Sequence, residues 1–220
     1  MTTEELIIGL AQSAGPVRRL PSLAHRLVRW SVVAMLTLAA LVLIIGVRAD
    51  IEAAVRPVRF AALAALTLAS ALTASSAALL LSVPGAARPI DRWLPLMAAG
   101  AWAMVLGTSV ASTGSLMELL TPSLIHVSCV IQIAGLALVP GWSLLEMVRQ
   151  GAPMPGFSIR GLAALAALAM GAAGTQVLCP VDEPAHLLVG HLVPVAVLAG
   201  VTAALTCRRS WESRAAGESR

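Results

Sequence analysis

The sequence predicts an all-α membrane protein: a polytopic bundle of six transmembrane helices with its N- and C-termini in the cytoplasm. Three observations support this prediction. Of the 220 residues, 58% are hydrophobic and 12% are charged, about half the charged fraction of a typical soluble domain. Six apolar segments each have close to the roughly 20 residues that a helix needs to cross the hydrocarbon core. The arginines are concentrated between alternate segments.

The N-terminal arm, residues 1–29, is expected to be cytoplasmic and to begin with a short amphipathic helix. Residues 2–14 have the helical pattern, and Thr2 and Glu5 are spaced as a capping box. Gly15-Pro16 ends it. The apolar face consists of Leu6, Ile7, Leu10, Ala11 and Ala14. Because so short a helix is marginal in water, this face is expected to need a partner, either the membrane surface or a cytoplasmic protein.

The junction between the arm and the first apolar segment sets the orientation. Residues 15–30 contain four arginines, and the segment from Ser31 to Val47 has no charge. Basic residues next to a long apolar run hold that end of a membrane helix in the cytoplasm.

Short connections separate the predicted spans, and none is long enough to form another domain. The second and fifth spans are rich in Ala, Gly and Ser, which allow membrane helices to pack closely. Pro140 and Pro194 predict kinks in the fourth and sixth spans. The six-helix transmembrane domain covers residues 30–207, and 208–220 form a cytoplasmic tail. The spans are predicted at 30–47, 60–83, 93–112, 124–147, 161–178 and 185–207.

The arginine distribution agrees with this topology. All fifteen basic residues are arginine, and twelve of them lie in the segments that the topology places inside. The outer loops hold only Arg48, Arg56 and Arg59. Because the arginines serve orientation in this way, we expect no direct contact with nucleic acid.

The spans have no Asp, Glu, Lys or Arg near their middle. Ion pumps and proton-coupled carriers usually place such groups inside the bundle. The sequence also has no Gly-rich phosphate loop, HExxH or GxSxG motif. We therefore expect neither an enzyme nor an ion-driven transporter.

Two of the three cysteines are predicted at the same membrane depth. Cys129 lies about five residues, or roughly 8 Å, inside the outer end of the fourth span. Cys179 stands at the outer end of the fifth span, whereas Cys207 ends the sixth span on the cytoplasmic side. The topology thus separates a candidate pair from a remaining thiol.

Histidines lie near this pair. His126 precedes Cys129 by three residues and shares its helix face, and His186 follows Cys179 closely. His186 and His191 are about 140° apart around an α-helix and are not expected to face one point. Thiolates with imidazole suit a soft or borderline metal such as Cu(I), Zn²⁺ or Cd²⁺, whereas two thiols in an oxidising compartment could form a disulfide. A single membrane cysteine, however, is more often an apolar filler.

Four motifs follow one another along the chain. They are the PVRRLP sequence at residues 16–21, a cysteine early in the fourth span (Cys129), Cys179-Pro180 at the end of the fifth, and His191 with Pro194 in the sixth. Their order and spacing resemble the NrsF family, small bacterial membrane proteins that restrain a sigma factor, and the resemblance covers essentially the whole chain.

The resemblance implies a multi-pass protein of the bacterial inner membrane that holds an extracytoplasmic-function sigma factor inactive on its cytoplasmic face. It also implies that Cys129 and Cys179 sense metal or oxidative stress. From position alone, His126 and His186 join them as candidates. No constitutive cofactor is expected, only a transient soft or transition metal ion on the cysteines. The candidate partner-binding residues are Leu6, Leu10, Pro16, Arg18, Arg19, Leu20 and Pro21.

Two other functions fit the sequence. A small metal or solute carrier would use the same thiols as a transport site and would need polar groups that continue across the bilayer. Gln132, Thr175 and Gln176 are the candidates for such groups. A structural or assembly subunit would instead carry cysteines without a chemical role.

Overall fold

The computed structural model describes residues 2–13, 19–114, 124–151 and 157–217, with side chains except at 124–126, 157–158 and 206–217. All regular elements in these ranges are helices, and six are long and apolar enough to span a membrane. The predicted all-helical, six-span fold is confirmed, and the side on which the termini lie stays a prediction. The elements are α1 (Thr3–Ser13), α2 (Leu23–Ile45), α3 (Ile51–Ala54), α4 (Val58–Leu81), α5 (Pro89–Thr113), α6 (Leu124–Arg149), α7 (Phe157–Leu178), α8 (Pro184–Leu187), a π-helical turn (Leu188–Leu192) and α9 (Val193–Gly217).

The arm helix α1 begins with the capping box that its sequence predicts. The Thr2 backbone N–H donates to Glu5 Oε2 at 2.8 Å, and the Glu5 N–H donates to Thr2 Oγ1 at 3.3 Å. Every residue of α1 is exposed, including Leu6 and Leu10 on its apolar face. The sequence at Gly15-Pro16 that was expected to end the helix lies outside the described residues. The apolar face of α1 is thus available to a partner.

The first spanning helix begins at Leu23 rather than at 30. Ser22 caps it, with its Oγ accepting from the His25 N–H at 3.3 Å. As a result Arg26 lies inside the helix and is only 5% exposed. Its Nη2 donates to the Met147 carbonyl oxygen near the end of α6, where the last helical carbonyls lack intrahelical donors. This hydrogen bond satisfies one nitrogen of the buried guanidinium, whereas Nε has no partner within the described structure.

The two predicted kink sites differ in structure. Pro140 lies within α6, and its carbonyl oxygen accepts from Trp30 Nε1 at 3.0 Å and from Ser143 Oγ at 2.9 Å. Pro194 is the second residue of α9, one residue beyond the end of the π-helical turn. Because a proline cannot donate to the helical ladder, the helix leaves α-geometry in the turn before it. The sixth span is therefore composed of α8, the π-turn and α9.

Helix α7 lies at the centre of the bundle and packs against α4, α6 and α9. It is the most buried of the six spans, and its small residues allow this position. A Cβ at Gly171 would lie 2.5 Å from the Ile133 carbonyl oxygen of α6. The α6 and α7 backbones therefore touch about one turn inward of Cys129. The predicted packing role of the small residues in the second and fifth spans is confirmed by the buried alanines of α4 and α7: Ala71, Ala74, Ala77, Ala78, Ala163, Ala166, Ala169 and Ala172.

We expect Gly171→Ala to lower the free energy of unfolding by about 1–3 kcal/mol, the usual cost of overpacking a close contact. Gly135→Ala, on α6, is the matched control because a Cβ there meets no atom within 4 Å. That substitution is expected to be neutral or to stabilise slightly through helix propensity. Denaturant unfolding of both variants in detergent measures the difference, and equal stabilities would contradict the close α6–α7 contact.

Candidate thiol–imidazole site

The structure brings the two candidate cysteines together. Cys129 lies near the start of α6, and Cys179 directly follows α7, where its N–H still donates to the Thr175 carbonyl oxygen at 2.7 Å. Pro180 then ends the helical pattern because it has no N–H. The two Sγ atoms are 3.2 Å apart, and both side chains are buried free thiols. Two residues fifty positions apart thus form one pair of adjacent thiols.

His186 completes a three-residue contact with this pair. Its Nε2 lies 3.4 Å from Cys129 Sγ and 3.3 Å from Cys179 Sγ. The helix α8 that carries it begins with Pro184 at its first position, where the missing N–H has no cost. The imidazole is therefore held within hydrogen-bonding distance of both sulfur atoms.

The expectation that His186 and His191 face different directions is wrong. Their ring centroids are 5.7 Å apart, with the rings at 69°. The expectation assumed 100° per residue, but residues 188–192 form a π-turn. Because hydrogen bonds in a π-helix join residues five apart, this spacing returns His191 to the side that faces His186. The only sequence signal for it was Pro194, which disturbs the helix at this point.

Cys129, Cys179, His186 and His191 form one buried cluster. Each offers a ligand atom, and these four atoms lie within 4.8 Å of one another. Sulfur and imidazole nitrogen together suit Zn²⁺ and other borderline or soft metals. The residues present therefore fit a metal ion, and the two thiols alone fit oxidation to a disulfide.

The structure does not describe the side chains of His126 and Cys207. The placement of His126 beside Cys129 and of Cys207 on the cytoplasmic side therefore stays a prediction. In the arm, Arg19, Leu20 and Pro21 are described and exposed. Pro16 and Arg18 lie outside the described residues.

An arginine that sequence reasoning treated only as an exception to the topology holds the loop after Cys179. The Arg48 side chain is 1% exposed. Its Nη1 and Nη2 donate to the two carboxylate oxygens of Asp182 at 2.8 and 2.7 Å, and Nη2 also donates to the Pro180 carbonyl oxygen at 3.1 Å. Arg59 on α4 donates to the Asp182 carbonyl oxygen. Two elements distant in sequence thus fix residues 180–182.

A second carboxylate shares the Arg48 guanidinium. Arg48 Nε donates to Asp50 Oδ1 at 2.7 Å, and this hydrogen bond lowers the pKa of Asp50 below its usual range. Hydrogen bonds to Asp50 and Asp182 together raise the pKa of Arg48. The guanidinium therefore stays charged, and its charge is matched locally. The Arg48–Asp50 pair could have been predicted from sequence because only one residue separates the two. The Arg48–Asp182 pair could not, because only the folded chain brings those residues together.

Six membrane-spanning helices and a buried cluster of two thiols and two imidazoles define a polytopic membrane protein with a candidate sensing or ligand-binding site at one end of its bundle. The chain matches the family described as negative regulator of sigma F, NrsF, over residues 10–209, and it belongs to that family. The family resemblance seen in the sequence is confirmed. No curated protein and no solved structure matches the chain.

Arg48→Gln should expose Cys179 to a thiol reagent at least roughly tenfold faster, because several charge-assisted hydrogen bonds to the loop are lost. Arg56→Gln is the matched control, since Arg56 is an exposed arginine a few residues away. Labelling rates in membranes measure the effect. Equal rates in the two variants would show that Arg48 does not hold the loop.

The hydrogen bonds of Arg48 to Asp50, Asp182 and the Pro180 carbonyl oxygen, here called the Arg48 clamp, also predict a pH below which the loop after Cys179 is held less firmly. Since the pKa of Asp50 is lowered in the fold, its ion pair holds the Arg48 guanidinium in place above the ordinary aspartate pKa of about 3.9 and is lost as the pH falls through the folded value. Loss of that pair should loosen the hold of Arg48 on the loop. Labelling of Cys179, divided by the labelling rate of a free thiol at the same pH because the thiolate fraction falls with pH, should therefore accelerate on the acid side in the wild type. Arg48→Gln should lack this added acceleration.

Proposed function

We propose that this negative regulator of a sigma factor is a membrane anti-sigma factor whose cytoplasmic face holds an extracytoplasmic-function sigma factor inactive. Metal binding or oxidation at Cys129 and Cys179 would release the sigma factor. The observation that carries this proposal is the buried thiol pair, with Sγ atoms 3.2 Å apart on two different helices. A change of bonding between them must alter how α6 and the end of α7 sit relative to one another.

The site and the arm lie at opposite ends of the bundle. The Arg48 N–H, three residues after α2, donates to the Val177 carbonyl oxygen beside Cys179 at 3.2 Å. The α2 C-terminus is therefore at the cysteine end, and its N-terminus at Leu23 is a full helix length away. With the basic residues facing the cytoplasm, the arm lies inside and the thiol pair lies at the outer face of a bacterial inner membrane.

Helices α6 and α2 connect the two ends. Cys129 lies on the outer part of α6, whereas the Trp30 and Arg26 side chains of α2 donate to the Pro140 and Met147 carbonyl oxygens further along α6. Trp30 is completely buried. A shift of α6 would therefore move α2, and with it the start of the arm.

The arm supplies the partner surface. Helix α1 presents exposed Leu6, Ile7 and Leu10 on one face, the pattern with which amphipathic helices enter an apolar groove of a partner protein. Arg19 to Pro21, which shortly precede α2, are exposed as well. Because both candidate segments are exposed, the sigma factor could be bound without unfolding any part of the bundle.

The energy that such a switch needs is within reach of metal ligation. Moving a two-state equilibrium from 1:99 to 99:1 takes about 5.5 kcal/mol of differential binding. Structural zinc sites supply about 10–16 kcal/mol in total, so a fraction of that energy is enough.

The carrier alternative finds less support. Gln176 Nε2 donates to Thr67 Oγ1 at 3.4 Å, and Thr175 Oγ1 donates to the Gly171 carbonyl oxygen of its own helix. Further inward the described core is an apolar cluster that includes Trp30 and Leu144. Gln176 thus serves packing between α4 and α7 and Thr175 bonds within α7, whereas the buried Gln132 Oε1 has no hydrogen-bond partner within the described structure. One such group does not form a polar path across the bilayer, and the family assignment favours the regulator.

We expect Cys129→Ser and Cys179→Ser each to abolish sigma-factor release, and the double variant to behave like either single one. A serine hydroxyl stays protonated and cannot replace a thiolate as a metal ligand or form a disulfide. Cys207→Ser is the matched control and should respond normally. A sigma-dependent reporter, with co-purification of the sigma factor from membranes, measures both response and binding. A normal response in either single variant would reject the pair as the sensor.

Leu10→Asp in the arm should weaken co-purification of the sigma factor by at least roughly tenfold, as expected for an interface anchor. Ile8→Asp introduces the same charge on the opposite side of α1 and should bind nearly as well as the wild type. Both proteins should insert normally because α1 makes no buried contact in the described structure. Equal binding by the two variants would show that the apolar face of α1 is not the contact surface.

A further inference from the structure

His191 is buried in a way that needs an explanation. Its side chain is 1% exposed, and within the described structure neither ring nitrogen has a hydrogen-bond partner at normal geometry; the polar group that the ring approaches is the Cys179 thiol. A buried polar group without a partner destabilises a fold, so histidines in cores usually bond to a carbonyl or hydroxyl. The ring instead lies against His186 and the two sulfur atoms. An unpartnered imidazole directed into a group of thiols indicates a ligand.

We propose that Cys129, Cys179, His186 and His191 together form a closed four-ligand site for a divalent borderline metal ion such as Zn²⁺ or Cd²⁺. Binding itself follows from the cluster alone, but its role as the release signal rests on the proposed function. The proposal adds both histidines as ligands and chooses metal over disulfide as the chemistry of the site.

The spacing of the ligand atoms supports tetrahedral coordination. Zinc bonds of about 2.3 Å to sulfur and 2.0–2.1 Å to nitrogen place tetrahedral ligand atoms about 3.3–3.8 Å apart. The observed distances between the two Sγ atoms and His186 Nε2 are 3.2, 3.3 and 3.4 Å. His191 completes the set within 4.8 Å of every other ligand atom. A shift of about 1 Å at His191 would close the tetrahedron.

Charge favours a divalent ion. On binding, each of the two thiols loses its proton to solvent, and the two thiolates with two neutral imidazoles then carry a charge of −2. A divalent cation makes the buried site neutral, whereas Cu(I) would leave one net negative charge away from water, which is costly. Arg48 offers no compensation because Asp50 and Asp182 already neutralise it.

The four ligands come from three different elements, and the π-turn brings His191 into this set. Cys129 belongs to α6 and Cys179 follows α7, whereas His186 lies on α8 and His191 within the π-turn, both in the first part of the sixth span. A metal ion would join these three elements at one point. A disulfide would join only α6 and the end of α7, and neither histidine would take part in it. A requirement for the histidines would therefore indicate metal binding rather than disulfide formation.

The test is metal binding by the full chain in lipid nanodiscs. Co²⁺, as a spectroscopic probe, should give the visible absorption of a tetrahedral site together with thiolate-to-cobalt charge transfer. Chelator competition should show that His191→Phe and His186→Gln each weaken Cd²⁺ binding by roughly a hundredfold, about one quarter of a structural metal site's binding free energy. His25→Gln, an exposed histidine outside the cluster, is the matched control and should bind Cd²⁺ normally.

His191→Phe also tests whether the ring is only structural. Replacing an unpartnered imidazole with an apolar ring should raise the melting temperature of the metal-free protein, while Cd²⁺ should no longer raise it further. A structural histidine would instead show a lower metal-free melting temperature and an unchanged Cd²⁺ effect. His191→Gln, a smaller side chain, provides the same binding readout if the phenylalanine variant does not insert.

The outcomes separate this proposal from the proposed function. Normal Cd²⁺ affinity in His191→Phe, with loss in the cysteine variants, would reduce the site to two thiolates and overturn the four-ligand assignment. Tighter binding of Cu(I) than of Cd²⁺ would overturn the divalent assignment. Failure of the wild type to bind Co²⁺ or Cd²⁺, with oxidant still releasing the sigma factor, would overturn the metal site and leave the proposed function intact. Four-ligand binding without sigma-factor release by metal or oxidant would support the site and reject the proposed function.

Discussion

The backbone contact between α6 and α7 is the constraint on which the rest of the structure depends. Because Gly171 has no side chain, α7 lies directly against the Ile133 carbonyl of α6. In a bilayer, where lipid provides no hydrophobic drive between helices, such close contact is a main source of helix association. It also determines that Cys129 and Cys179 meet one to two turns further along. The small residues of α7 thus carry a functional consequence: they bring together a site whose residues are far apart in sequence.

Much of the fold and part of the site could be predicted from sequence. Hydropathy and length determine the six spans, and the depth of each cysteine follows from counting residues along the helices. The position of His191 could not be predicted this way, because its approach to His186 requires π-helical hydrogen bonding that a period of 3.6 residues excludes. The Arg48 clamp depends on a contact between residues 134 positions apart. The early start of α2 depends on Ser22 as a cap and on a carbonyl partner for Arg26 in another helix.

Coupling between the two ends has a physical path in this structure. The Trp30 and Arg26 side chains join α2 to α6 at two levels through carbonyl oxygens. The Arg48 network joins the other end of α2 to the loop after Cys179. Helix α2 therefore contacts α6, which carries Cys129, near its N-terminal end. Beyond its C-terminal end, Arg48 contacts the loop after Cys179. The arm lies N-terminal to α2 in the chain. The proposed regulator, in which metal binding at one end of the bundle releases a sigma factor at the other, would need such a connection, and α2 would provide it.

The central claim, that the thiol–imidazole site and the sigma-factor surface control one another, is tested most directly by thermodynamic reciprocity. If metal binding weakens sigma-factor binding by some factor, the sigma factor must weaken metal binding by the same factor. The measurement is the Cd²⁺ dissociation constant of the full chain in nanodiscs, with and without saturating sigma factor. The account predicts weaker Cd²⁺ binding in the complex, by the factor with which Cd²⁺ weakens sigma-factor binding. An identical Cd²⁺ dissociation constant in both states would contradict it.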